Sequence, residues 1–231
     1  MSDLVRIRVR RGATELKGVI NRAETHGMWI IGGYVRWMCS TRATVRDERP
    51  GDVDLFPKEE GNEEAFHEYL LSKGFEVRHE SEVAYTYKQH ERLPYRLWPQ
   101  LQVIKGFRDG RTVTVGSLEE IINNFDFTVV RLGLINKTYA LADPDFKKDE
   151  EAKRLRWKNI HCPISAVIRG AKYVKKGYSL RPMEVLRLFD DWDERGDEYK
   201  QRLFDLFLAS QNEEEFSDEQ LFELERLLRI D

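Results

Sequence analysis

The chain has 231 residues, 41% of them hydrophobic and 34% charged, with a formal net charge of −3. That is enough for one large domain or two small ones and is the composition of a globular protein rather than a disordered one. No apolar run approaches the roughly 20 residues that cross a bilayer. The basic stretch Met1 to Arg11 lacks a signal peptide's apolar centre. Two cysteines, Cys39 and Cys162, supply neither a disulfide framework nor zinc-ligand spacing, so a cytoplasmic setting with no membrane partner is expected.

In chain order, Ala13 to His26 reads as a helix closed by Gly27, with Leu16, Val19 and Ile20 on one face. Met28 to Ile31 is a strand, Gly32-Gly33 a turn, and Tyr34 to Ser40 a helix. A polar, Arg-rich loop from Thr41 to Pro50 leads to a strand over Val53 to Phe56, which Pro57 stops. Glu63 to Lys73 is a helix closed by Gly74. Phe75 to Gln89 alternates as one or two strands, and Arg96 to Lys105 holds a further one. Ser117-Leu118-Glu119-Glu120 is a capping box that opens a short helix. Phe125 to Ile135 is expected to be a long β-rich run that Tyr139 to Ala142 pairs with. From Asp149 onward only helical periodicity is present, ending in a helix capped at Ser217. The expected fold is α+β: a mixed β-sheet head with flanking helices over residues 1–147, then an all-helical part over 148–231.

Charge is unevenly spread. Between Glu151 and Arg181 nine basic residues, including Arg169, Lys172, Lys175 and Lys176, face Glu151 as the only acid, and acids dominate after Pro182. Such a segment can bind a polyanion, which makes Lys172, Lys175 and Lys176 candidate nucleic-acid contacts.

The strongest chemical signal is Ile31-Gly32-Gly33-Tyr34-Val35-Arg36 followed by Asp52-Val53-Asp54. A Gly-Gly turn between strand and helix lets a phosphate approach the backbone closely. Asp52 and Asp54, two apart on a strand, point to one face while Val53 and Leu55 go to the core. Two neighbouring carboxylates repel unless a cation lies between them, and hard oxygen ligands favour Mg²⁺ shared with a nucleotide's phosphates. The combination points to phosphoryl or nucleotidyl transfer. A third carboxylate completes a two-metal site, and Asp126, between Phe125 and Phe127 in the β-rich run, is the best candidate. Arg36, one turn into the helix, is expected to reach a phosphate oxygen.

These blocks resemble the polymerase-β-type nucleotidyltransferase superfamily, and within it the class II CCA-adding tRNA nucleotidyltransferases and bacterial poly(A) polymerases. Asp126-Phe127-Thr128-Val129 resembles the DFTI of that family's RRDFTINA-like segment, and Leu141-Ala142-Asp143-Pro144 its next strand and turn. Ala166 to Tyr173 with Lys176 to Leu180 resembles the helix that opens its neck. The match in order and spacing runs from about Trp29 to Leu180. It implies transfer of a nucleoside monophosphate from a nucleoside triphosphate to a hydroxyl, most naturally an RNA 3′ end, with Mg²⁺ at Asp52, Asp54 and Asp126 and pyrophosphate released. Gly32, Gly33, Arg36 and Arg169 would contact nucleotide.

The departures are Trp37 for the family's Asp, Val130 for its Asn, and Cys162-Pro163-Ile164-Ser165 in place of its acidic base-reading residues. The short remainder after Leu180 implies a reduced form. A protein or small-molecule acceptor, or a silent nucleotide- or RNA-binding module, are the alternatives this reading leaves open.

Overall fold

An eight-stranded mixed sheet forms the frame of the chain, in the order β1-β8-β7-β2-β3-β6-β5-β4. The computed structural model describes residues 3–10, 16–41, 50–88, 99–108, 113–160, 163–201 and 205. The strands are β1 (Val5–Arg8), β2 (Met28–Ile31), β3 (Asp52–Pro57), β4 (Val77–Glu80), β5 (Ala84–Tyr87), β6 (Gln100–Ile104), β7 (Leu132–Leu134) and β8 (Tyr139–Ala142). Within this sheet only β3 and β6 run parallel; every other neighbouring pair is antiparallel. Helices α1 (Lys17–Thr25), α2 (Gly33–Cys39), α3 (Asn62–Ser72), α4 (Leu118–Asn123) and α5 (Phe146–Glu151) flank the sheet in sequence. Beyond them lie β9 (Arg154–Leu155), α6 (Pro163–Lys175), β10 (Ser179–Leu180) and α7 (Pro182–Asp193).

Strand alternation divides the apolar residues between two faces. Met28, Ile30, Val53 and Leu55 enter one core with Val19 and Ile20 of α1, Val35 and Met38 of α2, and Phe66 and Leu70 of α3. Ile31 and Phe56 enter a second core on the opposite side, with Leu118, Ile121 and Ile122 of α4. On β3, Asp52 and Asp54 therefore share the face of Phe56, while Val53 and Leu55 are fully buried behind them. Helix α4 is anchored by the expected capping box: Ser117 Oγ accepts from the Glu120 amide and the Glu120 carboxylate accepts from the Ser117 amide.

A third core joins the segments after α5 to the head. Phe127, Val129 and Val130 pack with Leu155, Trp157, Ala166, Tyr178 and Leu188. The rings of Phe127 and Trp157 stack at 4.2 Å, and the two residues form an isolated β-bridge. Trp157 is held in turn by α7: its indole N–H donates to the Glu184 carbonyl and its amide to the Glu184 carboxylate, both at 2.9 Å.

Several elements differ from expectation. The run from Phe125 to Ile135 holds only three residues of strand, β7; residues 128–130 are a turn closed by bonds from the Val130 and Arg131 amides to the Phe127 carbonyl. Its apolar residues are buried, but in a compact turn, a case that hydrophobicity cannot distinguish from a buried strand. Asp126 thus lies in a bend and not on a strand. The basic N-terminal stretch contains an edge strand, β1, paired antiparallel to β8. The otherwise helical part after α5 includes the two-residue parallel pair β9 and β10. The Arg-rich loop (42–49), residues 96–98 of the strand expected over Arg96 to Lys105, and the helix capped at Ser217 lie outside the described residues.

Gly133 on β7 is boxed in: a Cβ there would stand 2.5 Å from Leu118 Cδ1, 3.1 Å from Ile31 Cγ1 and 3.3 Å from the Ile30 carbonyl oxygen. Gly133→Val is expected to destabilise the fold by about 1–3 kcal/mol through overpacking between β2 and α4, measured by urea denaturation.

Candidate active site

The site forms where β2 ends. Ile31 is in register with Asp54 across the β2–β3 pair, and Asp54 with Gln102 across β3–β6. Gly32 turns the chain into α2 with φ +85°, a conformation that favours glycine. A Cβ on Gly32 would lie 3.1 Å from the Phe125 ring and 3.6 Å from Asp54 Oδ2. The turn is therefore glycine for two reasons, backbone sign and close approach, and it lies directly against the second carboxylate of the Asp-x-Asp pair.

Asp52 is exposed and Asp54 half-buried. Burial, reinforced by the negative charge of Asp52, raises the Asp54 carboxyl from its ordinary value of 3.8 to about 7. Two oxygen donors on one strand face, one of them held away from ionisation, fit a hard divalent cation that would relieve the repulsion between them. Asp126 does not join them. Its buried carboxylate accepts a charge-assisted bond from Nε of Arg169, a residue of α6. Among the described residues no three His, Cys, Asp or Glu side chains converge to hold a metal ion. The expected three-carboxylate cluster is thus present as a pair, with the third acid tied to an arginine.

The position of Asp126 has a clear cause. Arg131 bonds to the Asn123 carbonyl at 2.8 Å, the Asn123 side chain at 2.6 Å and the Asp143 carboxylate at 3.0 Å. On the other side of the bend, the Lys158 amide donates to the Asp126 carbonyl at 2.7 Å and the Thr128 amide to the Arg156 carbonyl. The bend is clamped from both directions, which turns Asp126 towards α6.

Arg36 also departs from expectation. Its side chain is fully buried and points away from solvent. Nη1 donates to Glu150 Oε1 at 3.1 Å and to the Tyr178 hydroxyl at 2.6 Å, and that hydroxyl donates to Glu150 Oε2. The guanidinium also lies near the rings of Tyr173 and Tyr178, 5.8 and 5.7 Å from their centroids. The reason is packing: one turn into α2 the side chain faces the seam with α5 and α6, not the turn. Arg36 is a strut between the head and the segments after α5.

Lys172 and Lys175 on α6 and Lys176 just after it are exposed. The Lys176 ammonium lies 5.1 Å from the centre of the Tyr173 ring. The same helix carries Arg169 and Tyr173, so one helix supplies the Asp126 partner, an aromatic wall and a basic face. Tyr173, Tyr178 and Glu150 carry no signal as site residues in the sequence. The helical spacing of Tyr173 with Ala166 and Gly170 marks it only as packing.

No protein-family model matches the sequence, and no curated protein does. Solved structures do match. One, described as a tRNA-processing enzyme in an apo form, has a TM-score of 0.54 at 17% identity, with 96% of this chain and 59% of that one covered. A second, a tRNA nucleotidyltransferase complexed with a primer tRNA and an incoming ATP analog, has a TM-score of 0.51 at 20% identity over 92% and 60% of the two chains. A third, a tRNA-processing enzyme complex, has a TM-score of 0.52 at 19% identity over 92% and 56%. The chain has the nucleotidyltransferase-type fold that these structures share. It spans a little over half of their length.

The raised Asp54 carboxyl is directly measurable. In the metal-free protein it should titrate near pH 7 by carbon NMR, and Asp52→Asn should lower that midpoint. Because its folded value is raised, the group stabilises the fold below about pH 4, and that contribution is lost as pH rises to about 7. A metal-free stability profile should therefore fall across this window, and less steeply in Asp52→Asn. For the buried strut, Arg36→Met should cost about 3–5 kcal/mol by leaving Glu150 buried and unpaired. Arg36→Met/Glu150→Gln should recover part of that loss in urea melts.

Proposed function

We propose that this protein is a metal-dependent nucleotidyltransferase that moves a nucleoside monophosphate from a nucleoside triphosphate to a hydroxyl, with an RNA 3′ end as acceptor. The observation that carries this reading is the placement of Asp54 against Gly32, 3.6 Å from where a Cβ would be. A phosphate-accommodating turn and a cation-seeking carboxylate pair occupy one spot, on a fold shared with a tRNA nucleotidyltransferase.

Asp52 and Asp54 would hold Mg²⁺, which when bound supplies charge neutralisation at the triphosphate and a lowered pKa for an acceptor hydroxyl. Gly33 adds no side chain of its own, so a phosphate oxygen could approach the backbone at that end of the turn. The acceptor hydroxyl gives its proton to solvent, its oxygen attacks the α-phosphorus, the bond to the bridging oxygen of the β-phosphate breaks, and pyrophosphate leaves. Asp126, paired with Arg169, orders the α6 side of the cleft. Lys172 and Lys175 on α6, with Lys176 just after it, are exposed and suited to acceptor phosphates. The setting that suits such RNA processing is the cytoplasm, and a buried free thiol at Cys39 accords with a reducing compartment.

The test is incubation of the protein with Mg²⁺, each labelled nucleoside triphosphate and total RNA. Label should pass to RNA, and Asp52→Ala/Asp54→Ala should reduce it to background. Lys172→Ala/Lys175→Ala should weaken RNA binding and flatten its salt dependence. Label on protein or on a small product instead would replace RNA as the acceptor. Nucleotide binding without transfer to anything would leave a silent binding module.

A further inference from the structure

Helix α6 brings one further polar group to the head's site. The Tyr173 hydroxyl lies 3.8 Å from the position a Cβ on Gly33 would take. Its ring is held on three sides, by Phe127 at 5.8 Å, edge-on by Tyr178 at 5.2 Å, and by the Arg36 guanidinium. The hydroxyl, in contrast to that of Tyr178, makes no hydrogen bond among the described residues. A half-buried phenol with a locked ring and an unused O–H beside a glycine turn is a donor already in place for a ligand.

We propose that Tyr173 positions the nucleotide at this site by donating a hydrogen bond from its hydroxyl to a triphosphate oxygen seated over Gly32-Gly33. The proposal rests on the transferase reading above and adds to it a residue from outside the head. Three features favour phosphate as the acceptor. The phenol faces a surface where Gly33 contributes no side chain. Burial, helped by the negative charges of Glu150, Asp54 and Asp52, pushes the phenol up to about 12, so near neutral pH it is a donor and never an anion. A neutral donor beside two acids suits an anionic ligand brought in with a cation. It adds no further repulsion, and its ring geometry costs little conformational entropy on binding.

Tyr173→Phe removes the hydroxyl and keeps the ring, so contacts with Phe127, Tyr178 and Arg36 persist. Equilibrium dialysis with the four labelled ribonucleoside triphosphates and Mg²⁺ reads affinity, steady-state transfer reads KM and kcat, and thermal unfolding reads stability. The expected result is an affinity about tenfold weaker and a KM raised about as much, with kcat changed less than KM and Tm unchanged. Wild-type affinity and KM in Tyr173→Phe, alongside lost transfer in Asp54→Asn, would overturn the role of Tyr173 and leave the transferase reading intact. A weakened affinity that comes with a lowered Tm would also overturn it, because ring packing and not the hydroxyl would be at work. Failure of the wild-type protein to bind any of the four nucleotides would overturn both.

Discussion

The ion pair between Arg36 and Glu150, closed by the Tyr178 hydroxyl, is the constraint on which the arrangement of the site depends. Its three members come from α2, α5 and the segment after α6, and all are buried. Taking an arginine and a glutamate out of water costs several kcal/mol per ion, so the pair is poor evidence of net stability. What it provides is direction. A buried guanidinium whose partners are distant in sequence has few alternative places to sit, so α2 is held in one orientation relative to α5 and α6. Because α2 begins at the Gly-Gly turn, that orientation also sets where Tyr173 and Arg169 of α6 stand relative to β3. A second buried pairing runs alongside: Asp149 accepts from Thr128 at 2.8 Å and from Arg156 at 3.1 Å. Consecutive residues of α5 thus tie the sheet-side turn and the helical part together.

The opposite logic governs Asp54. Of the five buried acids among the described residues, four are matched by arginines, Glu150 by Arg36, Asp143 by Arg131, Asp149 by Arg156 and Asp126 by Arg169, and the fifth, Glu63, accepts from the Gly106 amide. Asp54 faces another acid, and burial beside that charge raises its carboxyl to about 7. Setting this half-buried carboxylate beside a like charge, where four buried ones face arginines, stores an electrostatic cost where β2 ends. A cation would relieve that cost, and it falls beside a turn whose two glycines add no side chain of their own. Perturbed acids of this kind cluster at functional sites because function requires them to be unsatisfied in the free protein.

The sequence disclosed the parts of this arrangement that are local. The Gly-Gly turn, the shared face of Asp52 and Asp54, the burial of Val53 and Leu55 and the capping box at Ser117 each depend on spacing over two to four residues, and the structure bears them out. What could not be read were directions set by distant partners. Arg36 was legible as a residue one turn into a helix, but not the side of that helix that meets Glu150, 114 residues later. Asp126 was legible as an acid between phenylalanines. Whether it joined the carboxylates or an arginine depended on how the turn at residues 128–130 and the clamps from Arg131 and Lys158 aimed it. The strand β1 was hidden for another reason: as an edge strand with mostly exposed side chains it carries basic residues and little apolar alternation.

A boundary drawn between head and helical part near residue 147 falls inside α5 and divides a shared interior. Phe127 from the head stacks on Trp157, and Trp157 is bonded through both its indole and its amide to Glu184 on α7. The same core carries Tyr178, which completes the Arg36–Glu150 pair, and packs against Tyr173, which faces Gly33. The helical part is therefore a wall of the site as well as its continuation. A sheet face with two carboxylates can hold a cation alone, but an open face selects nothing. In this chain the other side of the cleft, with its arginine and its tyrosine, is supplied by α6 and held in register by a buried ion pair. The side chains that dock the helical part on the head, Arg36, Tyr178 and Phe127, thus also fix where Arg169 and Tyr173 stand beside the Gly-Gly turn.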